Sequence, residues 1–158
     1  MVALDQDGQP LAVGEHQDHD RNVIVWMDQR AVKQAHFINE TKHSVLDYVG
    51  GTISPEMETP KLLWLKQNLP DTYHRAGYFF DLTDFLTWKA THSFARSVCT
   101  VVCKWTYLAH ENKWDESYFR TIGLEELVED NFNKIGFEVV TPGTSLGNGL
   151  SQQAASEL

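Results

Sequence analysis

Val23-Ile24-Val25-Trp26, followed by Met27-Asp28-Gln29-Arg30-Ala31, is the stretch on which the fold class turns. Continuous apolar character ending in Trp reads as a strand covered on both faces, because a half-covered strand alternates apolar with polar residues. After the polar turn, Ala31, Ala35, Ile38, Val45 and Val49 recur at helical spacing up to Gly50-Gly51, a pair able to take the positive φ that ends helices. A buried strand feeding directly into a helix is the repeating unit of α/β sheets.

Upstream, Val2–Leu4 and Leu11–Val13 flank the turn formers Asp5-Gln6-Asp7-Gly8-Gln9-Pro10, which predicts a hairpin. Gly14 to Arg21 is polar and reads as a solvated loop. Downstream, Pro60 opens a helix over Lys61–Asn68, closed by Leu69-Pro70. Tyr78-Phe79-Phe80 predicts a second buried strand, and Thr83 or Asp84 caps a helix through Thr91 that buries Leu82, Phe85, Leu86 and the stem of Lys89. Val98–Trp105 is apolar and β-branched but interrupted by Lys104, which predicts a strand or extended loop. Asp115 caps a helix through Ile122, and Leu124–Asn131 forms another. Phe137–Val140 is a late strand, Thr141–Gly149 holds too much Gly for regular structure, and Ser151 caps a last helix.

At 158 residues and 42% hydrophobic the chain is sized for one domain. A formal charge of −9 argues against nucleic acid or an anionic membrane as partner, since clustered Lys and Arg hold both. The two cysteines, Cys99 and Cys103, are too few for a disulfide-built secreted fold and fit a reducing, cytoplasmic setting. Met1 to Gly14 lacks the basic start and apolar core of a secretory signal, and no apolar run has membrane-spanning length.

Candidate chemistry gathers at the carboxyl ends of the predicted strands, where open α/β sheets bind ligands. Trp26, Asp28 and Arg30 end the first; a ligand site and a plain Asp28–Arg30 ion pair are both compatible with the pattern. Asp81 and Asp84 end the second, where helix capping competes with ligand binding. Lys104 lies in the apolar, aromatic run Cys99–Tyr107 and must reach water or donate to a polar group. Gly143–Gly149 lacks the Lys-Ser or Lys-Thr of a phosphate-binding P-loop. His16, Asp18, His19 and Asp20 offer zinc ligands, but without a rigid element to fix a tetrahedron no metal site is assigned, and the cysteine pair lacks two further ligands.

Taken together, Asn22–Ala31, Pro60-Lys61-Leu62-Leu63-Trp64-Leu65-Lys66, Phe79-Phe80-Asp81-Leu82-Thr83-Asp84-Phe85-Leu86 and Cys103-Lys104-Trp105-Thr106-Tyr107 resemble the FGGY carbohydrate kinases in content, order and spacing. Pro142–Leu150 resembles the ribulokinase-like branch. The resemblance implies an α/β, ribonuclease H-like (actin-like ATPase) domain, here the partial N-terminal, sugar-binding half of such a kinase over residues 1–158. It further implies transfer of the γ-phosphoryl group of ATP, with magnesium, to a hydroxyl of a D-ribulose-like pentulose. On that resemblance Trp26, Asp28, Arg30, Asp81 and Lys104 form the substrate-binding set.

The first strand's phosphate motif is expected before Met1, the catalytic Asp base beyond Leu158, and the nucleotide domain further on. The chain alone is therefore expected to bind neither ATP nor magnesium tightly and not to turn over. Its partner is a small-molecule sugar, and a homodimer is open to the intact parent. The competing reading is a non-catalytic truncated isoform or partial gene product acting as a binding or interaction module.

Overall fold

A computed structural model describes residues 1–14, 16 and 18–157. The elements run β1 (Val2–Leu4), α1 (Val32–Glu40), a 3-10 turn (Ser44–Val49), α2 (Glu58–Asn68), α3 (Pro70–Arg75), β2 (Tyr78–Phe80) and α4 (Leu82–Thr91). They continue with β3 (Arg96–Ser97), α5 (Val98–Trp105), α6 (Glu116–Thr121), α7 (Glu125–Glu129), β4 (Val139–Val140) and α8 (Gln152–Glu157).

The N-terminal hairpin forms as its turn residues demand. Asp5 Oδ1 accepts from the amides of Asp7 and Gln9 at 3.0 and 2.8 Å, Gly8 takes φ +77°, and the Leu11 amide returns to the Ala3 carbonyl. β1 then pairs antiparallel with β2, Val2 opposite Phe80 and Leu4 opposite Tyr78, while β3 and β4 pair in parallel.

The core is organised around α2, in which every side chain from Glu58 to Leu65 is buried. α2 packs against α1, α3 and α5, so it is covered all round rather than along one stripe. Phe79, Tyr118, Phe119, Leu124, Leu127 and Ile135 complete the same apolar cluster.

Four expectations are corrected. Val23–Trp26 is not a doubly covered strand. It contributes a single bridge from Val23 to Val2 and the Ile24 amide to the Met1 carbonyl, and only Ile24 is buried; Val23, Val25 and Trp26 are 54%, 51% and 63% exposed. Extended backbone turns alternate residues to opposite faces, and here one face has no covering element.

The helix expected over Ala31–Val49 breaks after Glu40. Thr41 Oγ1 donates back to the Ile38 carbonyl, Lys42 takes φ +51°, and His43 Nδ1 accepts the Val45 amide to start the 3-10 turn. α4 is capped by Asp81, not Thr83 or Asp84, and Leu82 and Leu86 face solvent. Asp84 takes the buried position because its Oδ1 accepts the Ser97 amide at 3.0 Å and Arg96 supplies a nearby positive charge. Finally, Val98–Trp105 is a helix: Val101 and Trp105, one turn apart, are both buried, and this packing overrides β-branched propensity.

Arg96 is a buried joint between these elements. Its guanidinium lies 3.7 Å from the centroid of Phe80 and donates to the carbonyls of Phe94 and Phe79. Gly136 lies against it with φ +126°, and a Cβ there would overlap Arg96 Cγ. Gly136→Ala is therefore expected to lower stability by roughly 1–3 kcal/mol in urea unfolding. Gly50→Ala, with φ +83° and no atom within 4 Å of the added methyl, carries only the backbone cost and should lose less.

Candidate functional site

The turn after Val25 builds a charged clamp. Arg30 Nε and Nη2 donate to Asp28 Oδ1 and Oδ2 at 2.9 and 2.8 Å, the Arg30 amide donates to the same Oδ1, and Nη1 donates to the Val13 carbonyl at 2.6 Å. Its guanidinium also lies 4.7 Å from the Trp64 ring centroid, so both ends and one face of the fork are held. Burial alone would raise the Asp28 pKa, but the hydrogen bonds and charge of Arg30 outweigh it and hold the carboxylate below its ordinary value. Asp28 and Arg30 line an open cleft of about 690 Å³ together with Val13, His16, Asp20 and Arg21. That volume admits a small polyol.

Trp26 stands on the exposed edge and is not part of this cleft; the aromatic ring that positions Arg30 is Trp64. Asp81 caps α4, its Oδ1 accepting the Leu82 amide. Lys104 sits half-buried in the last turn of α5, which the helical fold of that segment accounts for. Neither Asp81 nor Lys104 lines the cleft of Asp28 and Arg30.

What links them is a pair the sequence reading passed over. Glu58 and Lys61, 3% and 0% exposed, lie with Nζ 3.6 Å from Oε1, and the α-ammonium of Met1 is 4.0 Å from the same oxygen. Lys61 Nζ and Glu58 Oε2 have no hydrogen-bond partner. Burial pushes the Glu58 pKa up; the Met1 ammonium, Lys61 and Lys104 pull it down, while Asp81 adds to the rise. Lys61 also acts on Asp28. The pair thus lies within electrostatic reach of Asp28, Asp81 and Lys104. Opposite charges three residues apart just ahead of an apolar helical run were the available signal.

A Ser–His–Asp set also occurs, but its protons run the wrong way for nucleophilic catalysis. His43 Nδ1 accepts the Val45 amide, so the neutral ring carries its proton on Nε2 and donates to Ser117 Oγ at 3.0 Å; Ser117 in turn donates to Asp115 Oδ1 at 2.6 Å. The imidazole offers Ser117 no lone pair, and the set serves to hold the 3-10 turn to the start of α6.

The pattern that defines the N-terminal domain of the FGGY family of carbohydrate kinases matches residues 2–135. The chain belongs to this family. It is 58% identical to the "FGGY carbohydrate kinase domain-containing protein" of Homo sapiens over 159 aligned residues, covering 100% of this chain and 29% of that protein. It is 42% identical over 132 residues to a D-ribulokinase of Saccharomyces cerevisiae, covering 80% of this chain and 18% of that one. The chain therefore spans less than a third of these relatives. Among solved structures, the gluconate kinase and the ligand-bound xylulose kinase of Lactobacillus acidophilus each superpose with a TM-score of 0.75 at 13% identity, over 99% of this chain and 29% of theirs. The fold is thus the α/β fold of FGGY sugar kinases, present here as part of a domain.

The buried pair gives a stability test with a definite pH sign. Lys61→Met leaves Glu58 without its lysine partner and is expected to cost roughly 3–5 kcal/mol at neutral pH by chemical denaturation. The folded-state Glu58 pKa is raised, so the folded chain holds more protons than the unfolded one between the two values. The penalty of burying this carboxylate therefore fades as pH falls through the folded pKa toward the ordinary carboxylate range. The Lys61→Met deficit should shrink over that interval, and in a Glu58→Gln background it should be small at every pH.

Proposed function

We propose that this chain forms part of the sugar site of an ATP-dependent kinase acting on a pentulose of the D-ribulose type. The 42% identity to a D-ribulokinase is the observation that carries the substrate class, and 27% identity to the ribulokinase of Geobacillus thermodenitrificans supports it. The overall reaction moves a γ-phosphoryl group onto a sugar hydroxyl, a process that depends mainly on positioning and charge neutralisation.

In this reading the residues of the chain bind and orient. The carboxylate of Asp28, held ionised by Arg30, accepts from sugar hydroxyls, and Lys104, which lies outside that cleft in this chain by itself, donates to a sugar oxygen from the end of α5 in the longer protein. Asp81 contributes a second carboxylate and Trp26 an apolar face once the exposed edge is covered. A charged donor hydrogen bond of the Lys104 kind contributes about 1.5–3 kcal/mol.

The glycine loop at residues 143–149 has no lysine to meet phosphates, so no nucleotide role is given to it. The chain spans 29% of the human relative, and this reading leaves the catalytic base and the nucleotide-binding groups to the remainder of such a protein. A cytoplasmic setting suits the two free thiols, and among the described residues no helix is long and apolar enough to cross a membrane.

The test is ADP production with D-ribulose by this chain and by a version extended at both ends. The extended protein should turn over and the short chain should not; robust turnover by the short chain would refute the partial-site reading. In the extended protein, Lys104→Ala should weaken sugar binding by roughly ten- to a hundredfold, the equivalent of that hydrogen bond. Unchanged affinity and turnover would remove Lys104 from the site.

The exposed apolar edge of Val23, Val25, Trp26 and Met27 favours a second reading, an interaction module without catalysis. Self-association in size-exclusion chromatography with strong binding of a hydrophobic dye is its expected signature, and a compact, dye-silent monomer would exclude it.

A further inference from the structure

The cysteines of α5 remain outside the sugar reading. Cys99 and Cys103 are both free and exposed, one helical turn apart, on the helix that ends at Lys104. Residues four apart lie on one face of a helix with Cβ atoms about 5–6 Å from each other. A disulfide needs Cβ atoms about 3.5–4.5 Å apart, so direct closure would require the backbone of α5 to move. A single atom bonded to both sulfurs does not. Two metal–sulfur bonds of about 2.3 Å each bridge a wider gap than one S–S bond of about 2.05 Å.

The identity of the bridging atom follows from the ligand number. A tetrahedral zinc site needs four donors, and among the described residues no third His, Cys, Asp or Glu gathers with this pair. Two sulfurs alone suit a soft, low-coordinate ion, for which thiolate is the preferred ligand. From this geometry we infer that Cys99 and Cys103 form a two-thiolate site for a soft monovalent ion of the Cu(I) type.

Binding breaks two S–H bonds, forms two S–Cu bonds and releases two protons to solvent; copper stays Cu(I) and no electron is transferred. The bis-thiolate carries one net negative charge. Burial and the neighbouring Cys99 push the Cys103 thiol up, and the ammonium of the adjacent Lys104 offsets only part of that rise; two bonds to the metal supply the rest on binding. The site is therefore adjacent in sequence to the residue assigned to the sugar, though it does not depend on that assignment.

The probe is Cu(I) itself. The reduced chain is titrated anaerobically with the coloured Cu(I)–bicinchoninate complex, following loss of colour, with free thiols counted by Ellman's reagent before and after. The expected result is uptake of one Cu(I) per chain with protection of both thiols, and loss of that uptake in Cys99→Ser and in Cys103→Ser separately. Both side chains are exposed, so both variants should retain the wild-type circular dichroism spectrum. Uptake that survives in either single variant, or a wild type no better than the double variant, overturns the site. So does metal-free air oxidation that consumes both thiols within the monomer, which would mean that direct closure is allowed. No sugar enters the experiment, so its failure leaves the kinase reading untouched.

Discussion

Glu58 and Lys61 bring opposite charges into the interior at the start of α2, and the surrounding elements are arranged about that fact. A lone buried charge would cost several kcal/mol, so the two persist only together, and Nζ and Oε2 still lack hydrogen-bond partners. The α-ammonium of Met1, the clamp residue Asp28, the α4 cap Asp81 and Lys104 all lie close enough to take part in the same charge balance. Parts from five separate stretches of chain thus share one electrostatic junction, and α2, buried on every side, is the element that holds it in place.

Around this junction the fold uses two further polar joints of the same kind. Arg30 is fixed at once by Asp28, the Val13 carbonyl and the Trp64 ring. Arg96 is fixed by Phe80, two carbonyls and the charge of Asp84. Each guanidinium ties its own segment to the core through several weak contacts. The two small sheets contribute less: β3 and β4 are two residues each, and the helices supply most of the packing.

The legible parts of the site were those written in contiguous sequence. Asp28 and Arg30 lie two apart, and their ion pair closes within one turn, so their partnership could be read directly. Asp81 could be placed at the end of a strand but not given one role, since capping and ligand binding call for the same carboxylate. Val98, Val101 and Val102 favour a strand around Lys104, but burial of Val101 and Trp105 makes the segment a helix. Trp26 lies exposed although its apolar run predicts cover, because such a run carries no mark of which neighbours it meets.

Local chemistry in the chain determined the hairpin at Asp5–Pro10, the caps at Asp115 and Ser151, the Asp28–Arg30 pair and the motifs that carry family membership, because each depends on residues a few positions apart. Tertiary structure alone decided that α2 would be buried all round, that Glu58 and Lys61 would meet Met1 there, that α4 would bury Asp84 and expose Leu82, and that α5 would be helical. Those outcomes depend on contacts between distant segments, whose energies exceed the local propensities they override and leave no imprint on spacing.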